Sequence, residues 1–182
     1  MLISHELIRG IKLFNPTRFD DSRGSLFSID LADEFLKAGK CRYVESVSNC
    51  NVIRGIHIAK IRENQNKLIW CSHGRILDIQ IDLRTSSSTF LCHSQIILDS
   101  KDGNFLLLQP GIGHAFLTLE DATKVSYFIN TPFLPASEIS MNIFSPIFNI
   151  NLPIDFNPIV SEKDSRTISK TELMKTIEEI NL

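Results

Sequence analysis

The stretch that most constrains the fold is "GRILDIQIDLR", residues 74 to 84, in which apolar and polar side chains alternate. Leu77, Ile79 and Ile81 are separated by Asp78 and Gln80. Successive side chains of an extended chain point to opposite faces, so this period of two predicts a β-strand with one apolar face. The preceding "KLIWC" predicts a partner strand across a "SHGR" turn.

Further strands are predicted along the chain, with turn signals such as "SKDGN" between them. They are "RYVESVS", "STFLCHSQIIL", "NFLLLQP", "HAFLTL" and "TKVSYFIN". Many strands at short spacing favour an all-β sandwich or barrel, in which inward side chains converge on one cavity. The 182 residues suffice for one hydrophobic core and show no internal repeat or long linker, so we expect a single domain over 1–182.

Helical signal is confined to two places. "DLADEFLKAGK" predicts a short helix closed by Gly39, and "SKTELMKTIEEI" predicts a C-terminal helix over about 169–180. The apolar residues of the second segment recur at helical spacing behind the capping candidates Ser169 and Thr171. The tract from Pro132 to Pro158 predicts a meandering surface segment.

Composition excludes several classes of protein. The formal net charge of -2 provides no basic field for nucleic acid. The chain also contains no run of 18 or more apolar residues, which is the length needed to span a membrane. The N-terminal "MLISHELIRGIKLF" lacks the pattern of a signal peptide, so we expect a cytoplasmic protein. The cysteines have no CxxC spacing and are predicted to be reduced and packed, not bound in disulfides or to zinc: Cys41, Cys50, Cys71 and Cys92.

A few polar side chains interrupt the apolar strands and are of the types that active sites use. They are Arg54, His57, Lys67, His114 and Tyr127. A barrel could bring them together in space although they are distant in sequence. Taken singly, each has a structural alternative, because a lone histidine or tyrosine in an apolar strand is more often a core residue with its polar atoms hydrogen-bonded.

Six motifs, met in order along the chain, make the pattern specific. They are "FDDSRG", "VIRGIH", "NQNKLIWCSHGRILDIQIDLRTSSSTF", "PGIGHAF", "SYFINTPFLPASE" and "VSEKD". Together they resemble the dTDP-4-dehydrorhamnose 3,5-epimerase family, a group of RmlC-like cupins. The resemblance implies a cupin-type jelly roll with a few short peripheral helices. It also implies an isomerase that inverts C3, C5 or both in a nucleotide-diphospho-4-keto-6-deoxy sugar, as a homodimer and without a metal or redox cofactor.

The same resemblance implies roles for individual residues. His57 would be the catalytic base with Asp164 as its orienting partner, Lys67 would lie beside the sugar C4 oxygen, and Tyr127 would be the acid on the opposite face. Gly55 would leave room for the ligand. The implied substrate-binding residues are Phe19, Arg54, Gln65, His114, Phe133, and Arg23 reaching the nucleotide from the neighbouring subunit.

These residue types suit the implied chemistry. A proton next to a ketone becomes acidic only if the enolate is stabilised, and a cation fixed at the developing oxyanion does this in a dry cavity. An imidazole, with an intrinsic pKa near ~6.5, can take the proton, and a carboxylate behind it fixes the tautomer. A phenol, with a pKa near ~10, is protonated at neutral pH and can donate from the other face.

The chain also departs from the family pattern. Phe133 stands where the dTDP-rhamnose enzymes have a second tyrosine, Ser28 replaces a glutamate, Ala115 replaces a glycine, and "RYVESVS" replaces a Q-x-N segment. The nucleotide, dTDP or GDP, and the sugar therefore stay open.

Three rival functions stay open. A metal cupin needs an H-x-H pair and a sugar 3,4-ketoisomerase needs paired histidines, whereas His57 is followed by "IAK". The third is a non-catalytic sugar-nucleotide-binding module. Asp78, Asp82 and Arg84 are expected to serve the scaffold.

Overall fold

The computed structural model describes residues 1–29, 41–153 and 157–182, so the helix predicted for "DLADEFLKAGK" lies outside the described residues. In chain order, the strands β1 to β13 are Ile11–Phe14, Thr17–Asp21, Gly24–Ser28, Arg42–Ser48, Val52–Ala59, Lys67–His73, Arg75–Asp82, His93–Asp99, Phe105–Leu108, Ile112–Thr118, Thr123–Ile129, Glu138–Ser140 and Ile159–Val160. The α-helices are α1, Glu162–Ser165, and α2, Lys170–Ile180, and short 3-10 helices are His5–Leu7, Ile61–Glu63 and Pro135–Ser137.

Two large sheets pack face to face. A five-stranded sheet has the order β1-β9-β6-β11-β4, and a six-stranded sheet has the order β12-β5-β10-β7-β8 with β13 added beside β5. Ile69, Leu106 and Val125 of the first sheet share a buried cluster with Ile76 and Phe116 of the second. This apolar core between the sheets confirms the predicted all-β sandwich.

A second core covers the opposite face of the six-stranded sheet. Leu173, Ile177 and Ile180 of α2 are buried there against a cluster that includes Ile79 and Leu117. The predicted C-terminal helix is confirmed, and Ser169 is its N-cap. Its hydroxyl accepts from the Glu172 backbone N–H while the Glu172 carboxylate accepts from the Ser169 backbone N–H. Among the described residues, no helix has the length and apolar character needed to cross a membrane.

Strand β7 is confirmed, but both of its faces are buried. Leu77 and Ile79 face the helical layer, while Asp78, Gln80 and Asp82 are completely buried on the other side. Polar side chains can occupy this interior because each is hydrogen-bonded. The Gln80 amide donates to Asp78, whereas Asp82 accepts from the Ser87 and Thr89 hydroxyls. Asp82 also forms the predicted scaffold ion pair, with Arg84 Nε 2.8 Å from its Oδ1.

Two sequence predictions are wrong in part. The segment "STFLCHSQIIL" becomes a strand only from His93, because the Ser87 and Thr89 hydroxyls both donate to the Asp82 carboxylate and hold the preceding residues in turns. The described part of the tract from 132 to 158 is no surface meander. It includes β12 and contributes Met141 and Phe148 to the buried core, because its apolar side chains extend the layer that covers the six-stranded sheet.

Candidate active site

A cavity of about 270 Å³ lies between the two sheets and gathers most of the predicted site residues. Six of them line it: Arg54, His57, Lys67, His114, Tyr127 and Phe133. Its other lining residues are Arg42, Val44, Ile129 and Glu138. Strands of both sheets contribute, so a molecule held in the cavity would meet protein groups on two opposite sides.

An irregularity between β5 and β10 brings Arg54 and His57 to the same face. His114 pairs with His57, and Phe116 pairs with Arg54, so three steps along β5 match two along β10. A β-bulge of this kind re-aims side chains beyond the bulged residue. In a regular strand, residues three apart would point to opposite faces.

Gly55 serves this irregular pairing. It has φ +103°, and a Cβ at this position would collide with the His114 carbonyl oxygen and crowd Ala115. The expectation that Gly55 leaves room for a ligand is therefore corrected. Its missing side chain makes room for the backbone of β10.

His57 forms a close pair with Asp164. Nε2 of the ring lies 2.7 Å from Asp164 Oδ1, and the Gly55 backbone N–H donates to Oδ2 over 3.2 Å. Burial alone would raise the pKa of Asp164, but the hydrogen bonds from His57, Gly55 and Ser161 together with the His57 charge lower it to about 2. Asp164 is therefore a carboxylate at neutral pH.

His114 heads a second pair that continues into the interior. Its Nε2 lies 2.7 Å from Asp78 Oδ2, the Gln80 amide donates to the other Asp78 oxygen, and the Ser94 hydroxyl donates to Gln80. All four side chains are buried. The Asp78 carboxylate thus receives hydrogen bonds on both oxygens, which satisfies a buried charge.

Lys67 brings an ammonium to the cavity from β6. The residue is buried, and this burial lowers the pKa of Lys67 to about 8, an effect that Glu138 opposes and Arg42 adds to. A buried cation beside a pocket can stabilise negative charge that develops on a ligand.

Tyr127 faces the cavity from β11 of the five-stranded sheet, whereas His57 lies on β5 of the other sheet. Its ring packs edge-on against His114, with ring centroids 6.0 Å apart. Burial and the negative charge of Asp78 raise the pKa of Tyr127, so the hydroxyl keeps its proton at neutral pH.

The structure does not bring every predicted residue to the cavity. Phe19 and Arg23 belong to the hairpin of β2 and β3, where the exposed Arg23 pairs with Asp21. Gln65 is buried and donates to the Thr131 hydroxyl over 2.9 Å. It lines a small separate void beside Lys67.

Sequence reasoning missed Arg42 and Glu138. Arg42 lies on the inward face of β4, and its Nη2 is 3.0 Å from Glu138 Oε1. The alternation of "RYVESVS" could have signalled an inward arginine, since Arg42 shares a face with Val44. Nothing local in the sequence indicates its distant partner.

Metal-binding side chains are not clustered in the described ranges. Within 1–29, 41–153 and 157–182, no group of three or more His, Cys, Asp or Glu residues is arranged to hold a metal ion. The two histidines of the cavity instead hydrogen-bond carboxylates.

Comparisons with known proteins agree with this architecture. The sequence model of the family described as dTDP-4-dehydrorhamnose 3,5-epimerase matches residues 5–172. The chain belongs to this family, which is one of isomerases.

Individual relatives cover most of the chain. A dTDP-4-dehydrorhamnose 3,5-epimerase of Mycolicibacterium smegmatis is 30% identical over 91% of this chain and 84% of its own. A dTDP-4-dehydro-6-deoxyglucose 3-epimerase of Streptomyces bikiniensis is 34% identical over 65% of this chain and 61% of its own. The solved structure of a 4-keto-6-deoxy sugar epimerase from the novobiocin biosynthetic gene cluster of Streptomyces spheroides superposes with a TM-score of 0.84 and 28% identity, over 93% of this chain and 87% of that chain.

Proposed function

We propose that this protein is an epimerase of nucleotide-diphospho-4-keto-6-deoxy sugars that inverts C3, C5 or both through an enolate. The observation that carries the proposal is that His57 and Tyr127 line one cavity from opposite sheets. Inversion at carbon removes a proton from one face of the ring and returns one to the other, so it needs a base and an acid on opposite sides.

In the proposed reaction His57 removes the proton next to the ketone. Its Nε2 is taken by Asp164, which leaves Nδ1 as the ring nitrogen that accepts. The Asp164 carboxylate fixes this tautomer and stabilises the imidazolium that forms.

Lys67 supplies positive charge at the C4 oxygen of the enolate, and Tyr127 returns a proton to the opposite face. Lys67 is buried and Tyr127 half-buried beside the cavity, where the low dielectric strengthens each interaction. Arg54, with its Nε fixed by the Ser48 hydroxyl over 3.0 Å, contacts the diphosphate. His114, held by Asp78, and Phe133 position the sugar.

We propose dTDP as the nucleotide, since the 3,5-epimerase relative and the 3-epimerase relative are both named for dTDP-linked 4-keto sugars. The test is solvent deuterium incorporation. The protein is incubated in D2O with dTDP- and GDP-linked 4-keto-6-deoxyglucose, and C3 and C5 are followed by NMR. Label at both carbons identifies a 3,5-epimerase and label at C3 alone a 3-epimerase. No label with either nucleotide contradicts the proposed activity.

We also propose that the protein is a homodimer whose sites are completed by Phe19 and Arg23 of the second copy. Strands β2 and β3 pair only with each other in the described chain, and Phe19 and Leu26 on them are exposed. A lone two-stranded hairpin is marginally stable, so a partner surface is expected to cover it. The Arg23 side chain, 88% exposed and paired with the adjacent Asp21, would then face a nucleotide in the neighbouring site.

The dimer proposal is tested by complementation. Arg23→Ala and His57→Asn variants are each expected to be impaired, but their co-expressed heterodimer contains one site with both residues intact. Recovered deuterium exchange supports sharing across the interface. A monomer in sedimentation analysis, or a heterodimer with no recovered activity, contradicts it.

The proposed localisation is the cytoplasm. All four cysteines are free, but only Cys71 is buried and Cys41 is exposed, so the prediction that all four are packed is wrong. Burial raises the pKa of Cys71 to about 11. Free thiols are typical of proteins in reducing compartments.

A further inference from the structure

Arg42 is a charged residue on the inward face of an edge strand. Burial alternates along β4, with Tyr43 and Glu45 exposed and Arg42, Val44 and Ser46 turned inward. The Arg42 side chain is only 26% exposed and lines the cavity. A partly buried cation needs hydrogen-bonding or charged partners that compensate for the water it has lost.

Three contacts fix the guanidinium. Nη2 lies 3.0 Å from Glu138 Oε1, Nε donates to the Thr131 carbonyl oxygen over 3.3 Å, and the group lies 5.2 Å from the centre of the Phe133 ring. Glu138 comes from β12, the edge strand of the other sheet. The Arg42–Glu138 pair therefore joins the two sheets at the cavity wall.

Lys67 lies in the same row of the five-stranded sheet. Ile129 of β11 pairs with Arg42 on one side and with Lys67 on the other. Neighbouring strands are about 4.8 Å apart, so the two cationic residues are separated by roughly 10 Å of sheet. In the part of the chain that the structure describes, no carboxylate forms an ion pair with Lys67, and the negative charge that raises its pKa is that of Glu138.

The Glu138 carboxylate is thus paired with Arg42 and also acts electrostatically on Lys67. We propose that Arg42 is a positioning residue that occupies Glu138 and thereby leaves the Lys67 ammonium free for the carbonyl oxygen of the substrate. This inference rests on the proposed function, in which Lys67 meets that oxygen. Without Arg42, Glu138 becomes an unpaired, half-buried carboxylate in the cavity wall and captures the Lys67 ammonium in an ion pair.

The electrostatic consequences have definite signs. The charged and titratable groups that share the cavity with Lys67 are Glu138, Arg42, Arg54, His57, His114 and Tyr127. Burial and the Arg42 charge lower the pKa of Lys67, and Glu138 raises it. Removing Arg42 should therefore raise the pKa of Lys67, removing the Glu138 charge should lower it, and removing both should change it least.

The first experiment follows Lys67 directly and needs no turnover. The protein is labelled with ¹³C-lysine, the Lys67 Cε signal is assigned with a Lys67→Arg variant, and the signal is titrated with pH. Arg42→Gln is expected to move the midpoint up by about one pH unit and Glu138→Gln to move it down, while Arg42→Gln/Glu138→Gln lies near wild type. Arg42→Lys keeps the cation on Glu138 and Arg75→Gln removes a distant surface charge, so both should leave the midpoint in place.

An Arg42→Gln titration that coincides with wild type overturns the inference. If Arg42→Gln does not fold, Glu138→Gln carries the test, and a midpoint that does not fall overturns it equally. Because wild-type deuterium exchange decides the proposed function separately, the two can fail independently.

The second experiment measures exchange against pH. Lys67 acts as a cation, so activity should fall as pH rises through its pKa, and Arg42→Gln should move this alkaline limb to higher pH. The competing ion pair should also lower kcat about tenfold with a smaller change in KM, and adding Glu138→Gln should recover most of this loss. A loss without a shifted limb and without recovery indicates a merely structural role and contradicts the inference.

Discussion

The cavity holds two histidine–carboxylate pairs with the same bond and different surroundings. In each, Nε2 lies 2.7 Å from an aspartate oxygen. The His57 side chain is 37% exposed and its partner Asp164 comes from α1, far along the chain. The His114 side chain is 5% exposed, and its partner Asp78 lies on the neighbouring strand β7 of the same sheet.

The difference in exposure indicates two different roles for the two histidine–aspartate pairs. His57 is open to the cavity and can gain and lose a proton in each turnover. His114 is tied into the buried chain through Asp78, Gln80 and Ser94, which holds its ring in a fixed position. We therefore assign the proposed proton transfer to the exposed pair and the proposed ligand positioning to the buried one.

The largest expected effect separates the two histidines. His57→Asn should abolish deuterium exchange at every carbon that the wild type labels, by about 10³-fold or more, because an amide cannot take the proton. His114→Asn should mainly raise KM, since it removes a positioning group. Both are measured by NMR exchange and initial rates. Equal losses of kcat in the two variants would contradict the division of tasks.

The next effect concerns the acid across the cavity. Tyr127→Phe should leave exchange measurable while inversion falls by about 10²-fold, because the enolate still forms but receives no proton from the opposite face. Product stereochemistry and deuterium content are followed in the same sample. If exchange and inversion fall together, Tyr127 acts in binding or folding and is not the acid.

The two carboxylates should respond differently to the same change. Asp164→Asn should lower kcat more than tenfold by freeing the His57 ring. Asp78→Asn should lower the free energy of unfolding by about 1–3 kcal/mol, because it disrupts a buried hydrogen-bond chain. Urea unfolding and exchange rates are compared for both variants. An Asp78→Asn protein of wild-type stability would contradict the structural role of the buried pair.

The smallest effect is a pH dependence of stability. The pKa of Asp164 is about 2 in the fold and 3.8 in a free side chain. This lowered pKa stabilises the native state by about 2 kcal/mol above pH ~4, and the contribution is lost as pH falls toward ~2. The stability advantage of wild type over Asp164→Asn should therefore shrink between pH 6 and pH 3 in urea titrations. An unchanged advantage would show that Asp164 adds no linked stability.

Local patterns in the sequence were sufficient for much of the fold. The alternation around Ile79 predicted β7, and the cap at Ser169 predicted α2, because pleat direction and helix capping depend on residues close in sequence. Prediction failed where contacts between residues that are distant in sequence determine the local structure. The turns at 88–92 depend on the Asp82 carboxylate, and the burial of Phe148 depends on a layer formed by a remote helix.

The candidate site divides in the same way. The motifs singled out six residues that line the cavity, but they also included Gln65, which a hydrogen bond to Thr131 turns away from it. The Arg42–Glu138 pair was missed because its members are 96 residues apart. Glycine at 55 was noticed for the wrong reason, since the constraint is the β10 backbone.

By itself, the sequence determined that the chain forms short strands with an imidazole, an ammonium and a phenol among apolar neighbours. Only the tertiary structure decided that these groups share a cavity, that a bulge turns Arg54 and His57 to one side, and that His57 and not His114 is the open imidazole. The physical reason is the sequence separation over which each kind of interaction acts. Strand and helix preferences act over a few residues, whereas hydrogen bonds, burial and charge compensation at the site join strands that meet only when the sheets pack.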